Sequence, residues 1–329
     1  MTNKTTSAIA HPNIALIKYW GKRDQALNLP ATHSLSVTLN TLVTKTSVSF
    51  VDGLRADQVS VESQPADTLF QQRVSSCLSQ LRELVNIDLF ARVETSNNFP
   101  TAAGLASSAS GFAALLTAAN AALGSPLETR ALALLARQAS GSAARSLFSG
   151  YVIQYRGKEE SGIDSFAEQL WPAEHWPLEL LIAITSIEKK PVSSTKGMLH
   201  CAQTSPYWDA WIKQSDADIR AAIAAIKTRD FTALAEVSEA SCLAMHAVMQ
   251  ASRPGLIYWN AATTELIHAV REMRASGLAV FFTIDAGPQL KAICLPEDAA
   301  KVAAQLVSVA GVKRIIRCQL GAGAQITSQ

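Results

Sequence analysis

The chain has 329 residues, of which 48% are hydrophobic, 17% charged and 6% aromatic, and Lys+Arg 29 against Asp+Glu 27 leaves a net charge of +2. That balance excludes a disordered chain and argues against a nucleic-acid partner, which calls for a basic face or stripe. The longest apolar runs, around Leu178–Ile184 and Leu278–Ile284, are strand-sized, well short of the roughly 18 residues of a membrane-spanning helix.

The amino terminus, MTNKTTSAIAHPN, lacks the apolar core of a signal peptide, so export is not expected and a cytoplasmic location is. The five cysteines (Cys77, Cys201, Cys242, Cys294, Cys318) are scattered without a CxxC pair and read as reduced core thiols. The six histidines form neither HxxxH nor HExxH, so no zinc site is expected.

In chain order, residues 13–20 and 34–42 read as strands. In the second, Leu35, Val37 and Leu39 alternate with Ser36, Thr38 and Asn40, the signature of a half-buried strand. Helical spacing follows over 69–85, then a strand near 89–93. Small residues dominate a helix over about 105–122, and another helix runs from 127 to about 138. Past the apolar strand 178–185 come helices near 207–228, 230–250 and 261–276. Strands 279–284 and 289–295 flank a DAGP turn, followed by a helix near 297–309 and a strand near 313–319. This mixture favours an α+β fold in two lobes, 1–185 and 186–329.

Five segments could carry chemistry. Asn98–Gly111 (NFPTAAGLASSASG) is a small-residue loop feeding a helix, whose free N–H groups and dipole suit phosphate. Its serines could add phosphate or Mg²⁺ contacts, or merely cap a closely packed helix. It matches neither GxxxxGK[ST] nor GxGxxG. Ser140, Gly141 and Ser142 with Arg145 can form an oxygen-binding cup, the guanidinium fork matching a carboxylate or phosphate. Asp285 ends an apolar strand at a Gly-Pro turn, either as an Asx-turn residue or as a desolvated carboxylate. Lys18 sits among apolar neighbours and asks for an anionic partner. The segment 189–198 (KKPVSSTKGM) combines cations and hydroxyls ahead of a helix capped by Ser193 or Ser194. Segments of this kind in both halves fit an anion-binding cleft between lobes.

Taken together, NIALIKYWGKRD (13–24), LPATHSLSVTL (29–39), NNFPTAAGLASSASGFAAL (97–115), SGSAARSLFSGY (140–151), VSSTKGM (192–198) and FTIDAGP (282–288) resemble the diphosphomevalonate decarboxylase family of the GHMP kinase superfamily, in the family's order and across the chain. PxxxGLxSSA alone indicates only the superfamily. The resemblance implies a ribosomal S5 domain 2-like N-terminal lobe, a GHMP C-terminal α/β lobe, and ATP-dependent decarboxylation of mevalonate 5-diphosphate with Mg²⁺. It further implies that Pro100, Ala103, Gly104, Leu105, Ala106, Ser107 and Ser108 wrap the ATP phosphates, with Ser108 also toward the metal and Arg73 reaching nucleotide phosphate. Tyr19 and Lys22, helped by Ser193, Ser194 and Thr195, would hold the substrate diphosphate. Arg145 would bind the carboxylate beside Ser140 and Ser142, and Asp285 would face the 3-hydroxyl with Lys18 nearby. Two departures bear on loop geometry: His33 stands where Asn or Ser is usual, and Gln138-Ala139 where a basic residue and Gly are commoner. The family is often homodimeric, and Trp208, Trp211 and Ile212 could supply an interface or simply core. A monophosphate or bisphosphate decarboxylase, a small-molecule kinase of the superfamily, and a nucleotide sensor without turnover are the rival readings.

Overall fold

The computed structural model describes residues 4–99, 107–188 and 190–327. The first half runs β1 (Thr6–Ala10), β2 (Asn13–Ile17), β3 (Lys22–Asp24), β4 (Leu29–Pro30), β5 (Ser34–Thr38), β6 (Thr44–Val51), β7 (Gln58–Val61) and β8 (Gln64–Pro65). It continues with α1 (Thr68–Val85), β9 (Phe90–Asn97), α2 (Ser107–Ala122), α3 (Thr129–Ala139), β10 (Tyr151–Gln154) and β11 (Ala167–Trp171). The second half comprises β12 (Glu179–Ile184), α4 (Ser194–Thr204), α5 (Trp208–Thr228), α6 (Phe231–Gln250), α7 (Ala261–Ala275), β13 (Val280–Ile284), β14 (Leu290–Cys294), α8 (Ala299–Ser308), β15 (Arg314–Gln319) and β16 (Gln325–Thr327).

Helix limits follow local chemistry. Asp67 caps α1 by accepting the Phe70 N–H at 2.9 Å, and Asn86 closes it in the left-handed conformation that Asn tolerates. Asn260 and Thr263 form a reciprocal capping box at the start of α7.

Three main sheets result, in the orders β16-β1-β6-β9-β7-β8, β11-β10-β5-β2 and β13-β14-β12-β15, with β3 and β4 as a separate hairpin. The first sheet packs under α1, α2 and α3 through Val48, Val93, Leu78, Phe112 and Leu116. The second and third share a core in which Ile14, Leu35, Val37 and Tyr151 meet Leu180, Ile182, Ile226 and Phe281. On its other face the third sheet is covered by α7 and α8, through Leu181, Phe282, Val270 and Val302.

Two sequence expectations change, and a third, left open, is decided. The strand over 34–42 shortens to β5, and its serine face is not solvated: every residue of β5 is buried, because Ser34 and Ser36 bind a buried guanidinium. The division near residue 185 leaves β12 with the first half, yet β12 pairs with β14 on one edge and β15 on the other. The buried backbone N–H and C=O groups of β12 need partners along both edges, and only the second half supplies them. Trp211 is core rather than interface: it is buried, and its indole N–H donates to the Trp20 carbonyl at 2.9 Å. The cysteines behave as expected, all free and buried. Among the described residues no helix is long and apolar enough to cross a membrane.

Candidate active site

β2 delivers Lys18 and Tyr19 from the first half, and β13 delivers Asp285 from the second. Lys18 Nζ donates to Asp285 Oδ1 at 2.7 Å, and Lys291 Nζ, from β14, lies 2.9 Å from Oδ2. Both lysine side chains are 1% exposed while that of Asp285 is 28% exposed, so the carboxylate alone of the three faces the opening. Burial alone would raise the Asp285 carboxyl, but the two ammonium groups outweigh it and hold it well below the usual carboxylate range. Lys291 was not singled out in the sequence. Its signal was a lone lysine in the apolar run LKAIC, the same argument that marked Lys18.

Lys190, from the basic segment 189–198, joins them. Its ammonium donates to Ser194 Oγ at 2.7 Å and to the Ala286 carbonyl at 3.1 Å, directly beside the Asp285 turn. Burial pushes it down to about 8, Asp285 opposing and Lys291 reinforcing the shift. Ser194 thus joins the centre through Lys190. Ser193 caps α4 by accepting the Lys196 N–H, and both Ser193 and Thr195 are exposed.

Arg145 lies in a single 3₁₀ turn, buried, with Nε donating to Asn13 Oδ1 (3.1 Å) and Ser36 Oγ (3.0 Å) and Nη1 to Ser34 Oγ (2.7 Å). The expected neighbours are therefore supplemented from β2 and β5. Ser142 instead gives its carbonyl to Asn13 Nδ2 at 2.9 Å, and Ser140 Oγ stands 3.2 Å from Ser108 Oγ at the start of α2. Burial lowers Arg145 to about 10, partly offset by Tyr19 and Asp285, so it stays charged at neutral pH. The guanidinium carbon is 6.0 Å from the Tyr19 ring centre. Burial raises the Tyr19 phenol to about 12 in spite of Arg145 and Arg137, keeping it a neutral donor. Among the described residues its buried hydroxyl has no hydrogen-bond partner, and it lies over Gly141, where an added Cβ would come within 2.2 Å.

Lys22 and Arg73 lie near enough for their charges to interact. Burial lowers Lys22, and the Arg73 charge adds to it; Arg73 also donates to the Ala139 carbonyl at 3.1 Å. His33 accepts the Arg156 N–H at 3.2 Å, bracing a loop rather than facing the centre. Ser107 opens α2. The expected loop residues Pro100, Ala103, Gly104, Leu105 and Ala106, like Lys189, lie outside the described residues.

Chemically, an ionised carboxylate flanked by two lysines, with a third lysine and a buried arginine close by, can hold a hydroxyl between phosphate and carboxylate groups. Family comparison points the same way. Residues 10–167 match the diphosphomevalonate decarboxylase-like N-terminal domain, and residues 180–327 the mevalonate 5-diphosphate decarboxylase C-terminal domain. The chain belongs to the diphosphomevalonate decarboxylase family. Diphosphomevalonate decarboxylase of Aspergillus fumigatus is 40% identical over 320 residues, covering 91% of this chain and 79% of that protein. Mevalonate diphosphate decarboxylase from Staphylococcus aureus superposes with a TM-score of 0.93 at 35% identity, covering 99% of this chain and 98% of that one. MDDEF in complex with MVAPP, AMPPCP and magnesium gives 0.91 at 36% identity, covering 99% of both chains. In this chain Lys18 and Lys291 meet at Asp285, Lys190 links Ser194 to the Asp285 turn, Arg145 lies beside Tyr19, and Ser108 and Ser140 pair where α2 begins.

Proposed function

We propose that the chain catalyses the ATP-dependent decarboxylation of mevalonate 5-diphosphate to isopentenyl diphosphate, ADP, phosphate and CO₂. The observation that carries this reading is the Lys18–Asp285–Lys291 cluster, contributed by both halves and open only at the carboxylate.

A 3-hydroxy acid without an adjacent electron sink loses CO₂ only after its hydroxyl becomes a leaving group. The 3-oxygen attacks the γ-phosphorus of ATP, the bond to ADP breaks, and the hydroxyl proton is released. Phosphate then departs with the C3–O bond pair. The bond to the carboxylate carbon breaks, and its electrons form the alkene.

Asp285, held ionised, is a weak base at rest. It accepts the hydroxyl hydrogen bond and takes the proton as the O–P bond forms, when the alcohol becomes acidic. The same negative charge steadies the positive character that develops at C3. Lys18 neutralises charge on the transferring group. Arg145, already bonded to Asn13, Ser34 and Ser36, orients the substrate carboxylate with a geometry fixed in advance. Tyr19, Lys22 and Ser194 receive the diphosphate.

Among the described residues no cluster of three His, Cys, Asp or Glu side chains could cage a metal. A hydroxyl at a helix start with phosphate oxygens is the donor set that magnesium accepts alongside its waters, and Ser108 supplies that hydroxyl. Mg²⁺ held there with the nucleotide would supply charge neutralisation for the phosphates.

The test is stoichiometric. Purified protein with ATP, Mg²⁺ and mevalonate 5-diphosphate should release ADP and CO₂ in equal amounts. ADP without CO₂ would mark a kinase, and no turnover with this substrate would refute the reading.

A further inference from the structure

Lys18 and Asp285 are 267 residues apart in sequence and stand on different sheets, yet meet at 2.7 Å. Each lies just past the end of its strand, where the ladder no longer fixes the backbone. One helix reaches both. α6 packs against β2 and β13 together. On its buried face Ser241 Oγ accepts the Lys18 N–H at 3.0 Å. The next residue, Cys242, accepts the Ile284 N–H on Sγ at 3.1 Å and lies 3.5 Å from the Ile284 carbonyl. One turn on, His246 Nε2 stands 3.3 Å from both that carbonyl and the Trp259 indole nitrogen, so a given tautomer bonds one of them. Burial, with Lys18 next, pushes His246 down to about 3, so it adds no charge behind the site.

We propose that α6 is the spacer of the reaction centre. Ser241 and Cys242 hold the backbones of Lys18 and Ile284 at a fixed separation, so that ammonium and carboxylate meet in register. Both are positioning residues; neither touches substrate. A buried backbone N–H must find an acceptor, and at these two strand exits the acceptors stand side by side on one rigid helix. Misplacement of reacting groups by about 1 Å costs roughly 10² in rate, which is the scale at stake.

The proposal rests on the function above for its kinetics, but not for its geometry. Ser241→Ala removes its acceptor with almost no change in volume and Cys242→Val removes the other at the cost of about one added methyl group, whereas Ser241→Thr and Cys242→Ser keep them. The first pair should lower kcat about 10-fold to 100-fold with KM for ATP and for mevalonate 5-diphosphate within about twofold. The second pair should recover most of that loss. In a crystal structure of Ser241→Ala the Lys18–Asp285 hydrogen bond should be broken. An intact pair together with unchanged kcat in that variant would overturn the proposal, as would Thr and Ser variants as slow as Ala and Val. Should Cys242→Val fail to fold, Ser241→Ala decides alone. A wild-type protein inactive on mevalonate 5-diphosphate would refute the function, while the Ser241→Ala structure would still judge the spacer.

Discussion

At Asp285, replacing one oxygen by an amide separates charge from shape. Asp285→Asn leaves Lys18 and Lys291 buried without their counter-charge and removes both the base that takes the hydroxyl proton and the negative charge at C3. Turnover should fall at least about 10³-fold while ATP still binds, as read by CO₂ release and nucleotide titration. A variant retaining most of its activity would contradict the role. Lys190 gives a pH signature. Its ammonium, lowered to about 8, is lost from the free enzyme as pH rises past that value, so kcat/KM for the substrate should decline above about pH 8. Lys190→Met should start low and show no such limb; an unaltered limb would assign it elsewhere. Stability responds with the opposite sign. The unfolded lysine titrates near about 10.4, so between the two values the unfolded state binds more protons and this group's contribution to stability rises with pH. Arg145→Ala should raise KM for the substrate much more than KM for ATP, because its guanidinium is buried among Asn13, Ser34 and Ser36.

Between α3 and β10, the segment that carries Ser140 to Arg145 makes its closest approach at Gly141. A Cβ there would collide with the Tyr19 hydroxyl, so Gly141→Ala should displace the phenol, raise substrate KM and, by an overpacking cost of about 1–3 kcal/mol in stability, lower Tm. An alanine variant with native KM would place Tyr19 outside the substrate's reach. Most helices were legible to within a few residues, because caps and apolar stripes are local signals: α1, α5, α6 and α7 begin and end close to where periodicity places them. Strands were less so. β1 (TSAIA) and β6 (TKTSVSFV) mix hydroxyls with apolar residues without a clean period, β16 (QIT) is only three residues long, and β1 finds β6 and β16 through long-range pairing that no short window contains. β5 shows the limit of periodicity: the alternation was legible, but not that Arg145 covers its polar face. Likewise Lys18 and Asp285 announced themselves by their apolar surroundings. Lys291 needed the register that sets it opposite Thr283, two residues before Asp285, and Lys190 needed the fold of the α4 approach.

Across the molecule, the β2 sheet and the β12 sheet bury one another, so the halves form a continuous core rather than two separately stable bodies. A single cooperative thermal transition should result, with far-UV circular dichroism and tryptophan fluorescence coincident; two resolved transitions would show that the shared core is weaker than its packing suggests. The same continuity explains how a net charge of +2 conceals a polyanion site: Lys18, Lys190, Lys291 and Arg145 converge on the single carboxylate of Asp285, an excess of positive charge that acidic residues elsewhere offset in the total. The central claim is that the hydroxyl beside Asp285 is phosphorylated and then leaves. Substrate carrying ¹⁸O in its 3-hydroxyl tests this directly. The account predicts that the label appears in the inorganic phosphate released with CO₂. Unlabelled phosphate accompanying labelled water would contradict it.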